Sequence, residues 1–249
     1  MDTIIDLFEQ SCSKYPDNPY LWEKIGGKYE AMTYARTRQR VREIAGGLLY
    51  AGLKKGQRVA LLAEGCADWV CCELGILYAG GINVPLSIRL NEQELIFRLN
   101  HAGCRFLIVS AYYMQTVARI IGELETVEKI YVFSPETGED KRYVPLESLA
   151  ESGREWLEHN SRNLDEVLSS VSADQVANII YTSGTTAEPK GIMLTHGNFV
   201  SNVLQSDSLI QIPQHYRILL FLPWDHSFAH TVGLYSFMYN GASVAAVDF

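Results

Sequence analysis

The sequence predicts an α/β fold in which layered, mostly parallel sheets are flanked by helices. Short runs of Val, Ile and Leu, as in residues 58–63 and 105–110, alternate with segments whose apolar residues fall on one helical face. Strands that are apolar on both faces are typical of parallel sheets covered on each side. With 249 residues, 47% of them hydrophobic, the chain can bury a large core without disulfides or metals.

The predicted elements start with a helix and a hairpin and then alternate. Thr33 and Asn91 occupy expected helix N-caps, Glu94 follows Asn91 at capping-box spacing, and Gly52 ends a helix. We expect helices over residues 3–13, 33–52, 67–78, 91–102, 112–124, 195–209 and 228–239. We expect strands over residues 20–23, 29–32, 58–63, 82–86, 105–110, 129–134, 176–181, 191–195, 218–222 and 243–247.

The segment 135–173 has a different character from the rest of the chain. It opens with a polar loop and continues with residues typical of one or two charged surface helices. We therefore expect a subdomain change near residues 135–175, within one larger unit that spans residues 1–249.

Charge and cysteine content exclude several functional classes. The formal net charge is −8, and the Lys and Arg residues form no stripe, which argues against nucleic-acid binding. The five cysteines show no metal-site spacing and suit a reducing compartment. The N-terminus has no basic region of a signal peptide, and no apolar run reaches membrane-spanning length. We expect a cytoplasmic protein, and peripheral membrane contact stays open if the substrate is a lipid.

A ten-residue loop, 182–191, combines residue types that suit a polyphosphate. Gly184 lets backbone N–H groups approach phosphate oxygens, the neighbouring hydroxyls donate hydrogen bonds, and Lys190 supplies a compact positive charge. A Thr/Ser-rich hairpin turn would have a similar composition. A Walker-type loop is excluded, because that motif needs Gly-Lys-Ser/Thr opening a helix, whereas Pro189 precedes Lys190 and a strand follows it.

The run from Tyr181 to Gly191, Tyr-Thr-Ser-Gly-Thr-Thr-x-x-Pro-Lys-Gly, resembles the phosphate loop of the adenylate-forming (AMP-binding) superfamily. Its flanks, 174–177 and 195–198, look similar to that family too, and the resemblance covers the whole chain. It implies the N-terminal part of the adenylate-forming enzyme fold, without the C-terminal lid domain. One departure is Ala187, where the family usually has Gly; if that position needs positive φ, Ala costs about 1 kcal/mol.

The resemblance also implies which loop residues bind ATP. These residues are Thr182, Ser183, Gly184, Thr185, Thr186, Lys190 and Gly191. Thr182 would in addition be a ligand of Mg²⁺ bound to the phosphates.

A second motif, residues 221–230, resembles the family segment Leu-Pro-x-x-His. The match makes His226 the catalytic histidine, which would orient the carboxylate and the nucleotide, and places Trp224 and Phe228 near an acyl tunnel. The form with Phe228 is similar to that of long-chain fatty acyl-CoA synthetases. Those enzymes usually continue with Glu-Arg, where this chain has Ala229 and His230. A lone histidine at a strand-to-helix junction is more often a core or cap residue, and the place of His226 just after Leu222 and Pro223 favours the functional interpretation. His230 lies one helical turn further on and is given no role.

The implied activity is an AMP-forming acid–thiol ligation in two half-reactions. A carboxylic acid, expected to be a fatty acid, reacts with ATP to give an acyl-adenylate, and coenzyme A then takes the acyl group. Two alternatives stay open: transfer to a carrier protein, and a non-catalytic nucleotide- or lipid-binding fragment. The family's adenine-binding segment, metal carboxylate and catalytic lysine are expected later than residue 249. We therefore expect the isolated chain to be inactive.

Overall fold

The computed structural model describes residues 1–136, 139–182 and 189–247. Its strands form a seven-stranded and a four-stranded sheet with helices packed against them, which confirms the predicted α/β fold. The strands are β1 (Pro19–Ile25), β2 (Lys28–Thr33), β3 (Arg58–Leu62), β4 (Ile82–Pro85), β5 (Cys104–Val109), β6 (Lys129–Val132), β7 (Tyr143–Pro145), β8 (Val176–Thr182), β9 (Lys190–Thr195), β10 (Arg217–Leu220) and β11 (Ser243–Ala246). The α-helices are α1 (Ile4–Lys14), α2 (Tyr34–Tyr50), α3 (Ala67–Tyr78), α4 (Glu92–Ala102), α5 (Met114–Ile120), α6 (Leu146–Ser170), α7 (His196–Leu209) and α8 (Ser236–Tyr239).

The larger sheet has the strand order β7-β6-β5-β3-β4-β8-β9. Its strand pairs are parallel except the last, where β8 and β9 form an antiparallel hairpin. Strands from before and after residues 135–175 therefore belong to one sheet. The subdomain change expected in that segment stays a prediction.

The smaller sheet joins the two ends of the described chain, in the order β10-β11-β1-β2. β1 and β2 form the predicted hairpin, which turns at Gly26 and Gly27 with φ of 57° and 83°, values that favour glycine. β11 runs parallel to β1, with Leu21 paired to Val244. The segment that carries the second motif therefore leads back into the sheet begun by the N-terminal hairpin.

Side-chain caps fix the starts of several helices. The Thr33 hydroxyl accepts the Arg36 N–H at 3.2 Å, and Asn91 and Glu94 form the predicted capping box. Thr195 forms a further box with Asn198, directly after β9. These local signals explain why α2, α4 and α7 begin where the sequence predicts.

Other elements differ from expectation. The helix expected over 112–124 is α5 between two 3₁₀ turns, Ala111–Tyr113 and Ile121–Glu123; its β-branched residues and Gly122 are weak helix formers. The helix expected over 228–239 is a π-helix, Ala229–Tyr235, followed by α8. β7 was not predicted, because three residues are too few to show a strand pattern.

The charged surface helices predicted for this segment form the long helix α6, which buries Leu149, Ala150 and Gly153 on the face that packs on α2. It kinks at Asn160, where φ is −128°. Gly153 lies so close to Gly47 and the Glu43 carbonyl that a β-carbon there would clash with both. No helix in the described ranges is both long and apolar enough to cross a bilayer.

Candidate active site

The β8–β9 hairpin holds both ends of the predicted phosphate loop. Thr182 pairs with Lys190, and Tyr181 pairs with Gly191, so the strands meet where the loop begins and ends. Thr182 and Lys190 are exposed and Gly191 is half-buried. A strand, and not the helix that a Walker-type loop requires, begins at Lys190. The predicted nucleotide-binding residues Ser183, Gly184, Thr185 and Thr186, as well as Ala187, lie outside the described residues.

Helix α4 packs beneath this end of β8. The Arg98 guanidinium carbon lies 5.5 Å from the centroid of the Tyr181 ring, and His101 Nδ1 lies 2.7 Å from the Tyr181 hydroxyl oxygen. Burial raises the pKa of Tyr181 to about 12. Tyr181 is therefore neutral, and its contacts with α4 anchor the strand directly before Thr182, the first residue of the loop.

The second motif follows β10 and ends in the π-helix. Trp224 is buried and packs edge-to-face on Trp69, with ring centroids 5.6 Å apart. Its indole N–H donates to the Leu220 carbonyl at 3.3 Å, and its ring fills the space beside Gly65. A buried, hydrogen-bonded indole fixes the start of the segment that presents the predicted catalytic histidine.

His226 is exposed at this site, and its imidazole is oriented by the backbone. The Phe228 N–H donates to His226 Nδ1 at 3.3 Å, so Nδ1 is the acceptor and Nε2 of the neutral ring carries the proton. Phe228 is itself 56% exposed. His226 therefore offers an outward N–H donor next to an accessible aromatic ring.

Two links join the segments that carry the motifs. Arg98, beside Tyr181, interacts electrostatically with Asp225, the neighbour of His226. Burial lowers the pKa of Arg98 and raises that of Asp225, while a backbone hydrogen bond and, to a smaller extent, the charge of Arg98 oppose the rise at Asp225. In the core, Glu73 contacts both Asn178 of β8 and His230 of the π-helix.

Comparison with known proteins decides the family. Residues 8–248 match the model of the AMP-binding enzyme family. The chain belongs to that family. This confirms the resemblance read from the phosphate loop and the Leu-Pro-x-x-His segment.

Relatives of this AMP-binding enzyme include long-chain-fatty-acid–CoA ligases. The ligase of Escherichia coli O6:H1 is 30% identical over 258 residues, covering 96% of this chain and 45% of the relative. The ligase ACSBG2 of Xenopus laevis is 24% identical, covering 98% of this chain and 34% of the relative. The chain therefore spans less than half the length of these curated relatives.

A solved structure shares the fold. The N-terminal domain of FACL13 from Mycobacterium tuberculosis, crystallised with an inhibitor, superposes with a TM-score of 0.78 at 26% identity. The match covers 99% of this chain and 57% of that one. The prediction of an N-terminal adenylate-forming fold is thereby confirmed.

The described residues include few side chains that could bind a metal ion. Among the described residues, no cluster of three or more His, Cys, Asp or Glu side chains could hold a metal ion. The exposed Thr182 can supply one hydroxyl oxygen, a ligand type that Mg²⁺ accepts. The five cysteines are free, and burial raises the pKa of Cys71 and Cys72, so both are protonated core residues. Mg²⁺ binding at Thr182 stays a prediction.

Sequence reasoning missed the buried partners of the second motif. Glu73 and His230 are both fully buried, and His230 Nε2 lies 2.8 Å from Glu73 Oε1. A carboxylate inside the apolar helix α3 is the signal that could have found this pair, since an unpaired Glu is almost never fully buried. The pattern of α3 gives no hint that the partner lies more than 150 residues further on.

Proposed function

We propose that the full-length protein activates a fatty acid with ATP and transfers the acyl group to coenzyme A. The observation that carries the proposal is the pairing of Thr182 with Lys190, which closes the hairpin around the family's phosphate loop. Membership of the AMP-binding family and the long-chain ligases among the relatives support it.

In the first half-reaction, a carboxylate oxygen attacks the α-phosphorus of ATP. The bond to the β-phosphate oxygen breaks, pyrophosphate leaves, and an acyl-adenylate forms. Catalysis of this step is mostly positioning and charge neutralisation. Lys190 binds the β- and γ-phosphates and stabilises the charge on the departing pyrophosphate. Thr182, Ser183, Gly184, Thr185, Thr186 and Gly191 complete the cradle.

His226 acts on the acid side of the same step. Its Nε2–H donates to an oxygen of the carboxylate or of the α-phosphate, because Nδ1 is engaged by the Phe228 N–H. This bond orients the attacking oxygen. The exposed ring of Phe228, next to this donor, contacts the start of the acyl chain.

Mg²⁺ bound to the phosphates would neutralise their charge. Within this chain, the Thr182 hydroxyl is the residue that would contact it. The proposed roles of Lys190 and His226 hold whichever residues complete the metal site.

In the second half-reaction, the thiol sulfur of coenzyme A attacks the acyl carbon. The acyl–phosphate bond breaks, AMP leaves, and the thiol proton passes to solvent. We place the protein in the cytoplasm, with peripheral membrane contact where it takes up a lipid acid. A carrier-protein thiol is the alternative acceptor.

Product analysis of the full-length protein tests this proposal. The protein is incubated with ATP, Mg²⁺ and saturated acids of graded chain length, with either coenzyme A or a phosphopantetheinylated carrier protein. We expect AMP and the acyl-CoA of a long-chain acid. Acylation of the carrier protein without formation of acyl-CoA would show that the carrier protein, and not coenzyme A, is the acceptor. AMP formation that depends on neither the acid nor the acceptor would refute the ligase assignment.

A further inference from the structure

A fully buried polar cluster lies behind the second motif, centred on Glu73 of α3. Glu73 Oε1 is 2.8 Å from His230 Nε2 and accepts the Tyr235 hydroxyl at 2.9 Å. The side-chain amides of Asn83 and Asn178 donate to the same oxygen at 3.3 and 3.4 Å. The cluster therefore ties α3, two strands of the larger sheet and the π-helix to one carboxylate oxygen.

The other ring nitrogen of His230 points back to the motif. His230 Nδ1 lies 3.2 Å from the carbonyl oxygen of His226, which also accepts the Ala229 N–H at 3.0 Å. A carbonyl oxygen only accepts, so Nδ1 must carry a proton. Nε2 lies 2.8 Å from Glu73 Oε1 but has no hydrogen-bond partner among the described residues, so the ring is held through Nδ1 and through its close contact with the carboxylate.

Stability alone is a weak reason for such a cluster. Buried ion pairs often contribute no more than apolar residues of the same volume, and Glu73 Oε2 is buried with no hydrogen-bond partner among the described residues. The ring of His230 is also enclosed by Trp69 and Phe199, at centroid distances of 5.4 and 5.9 Å. An apolar side chain would suit those neighbours, whereas the imidazole places Nδ1 at the His226 carbonyl and Nε2 2.8 Å from the Glu73 carboxylate.

The π-helix also connects His230 to His226, through the backbone. It begins at Ala229, three residues after His226, and is seven residues long. π segments are rare and occur frequently at functional sites. His230 is the second residue of this π-helix, and the His230 backbone N–H also donates to the His226 carbonyl, at 3.3 Å.

We propose that His230 and Glu73 are positioning residues that fix the backbone of His226, and with it the direction of the His226 imidazole, for adenylate formation. The inference rests on the proposed function, because it assigns these residues to the step in which His226 acts. Neither residue touches the substrate.

The test compares His230→Leu, which removes both ring nitrogens, with His230→Asn, whose amide can still donate to the His226 carbonyl. His196→Leu is the matched control, since His196 is also buried but only accepts the Ile4 N–H at 3.3 Å. For each full-length variant, kcat and KM for ATP are measured by acid-dependent pyrophosphate exchange, well below the thermal midpoint. Hydrogen–deuterium exchange of residues 226–231 is measured in parallel.

We expect His230→Leu to lower kcat by up to about a hundredfold with little change in KM for ATP, because a small misplacement of a catalytic group costs that much. His230→Asn should recover most of the rate, and exchange at 226–231 should rise only in His230→Leu. His196→Leu should lower the thermal midpoint and leave kcat unchanged. Equal kcat in His230→Leu and wild type, or equal losses in the Leu and Asn variants, would overturn the proposal.

Two provisions keep the test decisive. If His230→Leu does not fold, Glu73→Gln replaces it: the amide keeps the shape of the side chain but removes the charge, and unchanged kcat and exchange would refute the proposal. If the wild-type protein shows no acid-dependent exchange, the proposed function fails. The positioning claim is then judged separately by deuterium uptake at 226–231.

Discussion

Thr182 and Lys190 are directly paired across the β8–β9 hairpin. The pairing places a hydroxyl and a positive charge, both exposed, at the two ends of the loop that carries the family's phosphate-binding sequence. Tyr181, directly before Thr182, is anchored on α4 by contacts with Arg98 and His101. An anchored strand end suits a site that works by positioning charge.

Removal of the Lys190 charge should separate the two half-reactions. In the full-length protein, Lys190→Ala should lower the rate of adenylation by about a hundredfold or more, since a charge that neutralises a leaving group acts mainly in the transition state. Thioester formation from supplied acyl-adenylate should fall far less. Lys28→Ala is the control, because Lys28 is also exposed at the start of the second strand of a hairpin. Equal loss in both half-reactions would remove the assigned role.

The imidazole of His226 should be needed for the same half-reaction. His226→Ala should lower kcat for adenylation by about a hundredfold to a thousandfold, the loss expected when one oriented donor is removed from a reacting group. His159→Ala, which changes an exposed histidine of α6, should leave the rate unchanged. Steady-state pyrophosphate exchange measures both variants. A His226→Ala enzyme with wild-type kcat would show that the exposed ring has no part in the chemistry.

The close crossing of α2 and α6 should limit stability at Gly153. A methyl group there would meet the Glu43 carbonyl and the Gly47 nitrogen, so Gly153→Ala should lower the free energy of unfolding by about 1–3 kcal/mol. Gly122→Ala is the control, because a β-carbon added at Gly122 would meet no other atom within 4 Å. Denaturant titration measures both. Similar stabilities for the two variants would mean that the helices can separate without cost.

His196 should make stability fall in mild acid. Burial lowers the pKa of His196 to about 4, from an ordinary value of 6.5. The unfolded chain therefore binds the proton more readily, and the stabilisation present above pH 6.5 is lost as pH falls towards 4. The loss amounts to at most about 3 kcal/mol.

A non-titrating variant isolates this effect. His196→Asn keeps an acceptor for the Ile4 N–H but cannot be protonated in this range. Its unfolding free energy should depend less on pH between 4 and 6.5 than that of the wild type. The same slope in both proteins would assign the acid sensitivity to other groups.

Local signals in the sequence predict much of the fold. α3 has its predicted bounds, because its apolar residues form a helical pattern. α7 starts where predicted, because the side chain of Thr195 caps it. Both signals act within a few residues. The hairpin turn at Gly26 and Gly27 is fixed locally in the same way. Local patterns do not reveal strand order: the pairing of β11 with β1 joins residues more than 200 positions apart.

In the candidate active site, too, local patterns predict some residues, while the roles of others depend on contacts between distant segments. The loop at 182–191 and His226 are recognised because their residue types stand in a contiguous pattern. Glu73 and His230 were missed, because their chemistry depends on a contact between α3 and the π-helix that neither segment encodes alone. The π-helix itself was predicted as an ordinary helix, since both have apolar residues at similar spacing.

The central claim is that the hairpin of Thr182 and Lys190 serves acid activation by ATP. Its most direct test is acid-dependent exchange of labelled pyrophosphate into ATP by the full-length protein, measured without coenzyme A for the wild type and Lys190→Ala. We expect exchange that requires a fatty acid in the wild type and is nearly lost in Lys190→Ala. No exchange with any carboxylic acid, or full exchange in Lys190→Ala, would contradict it.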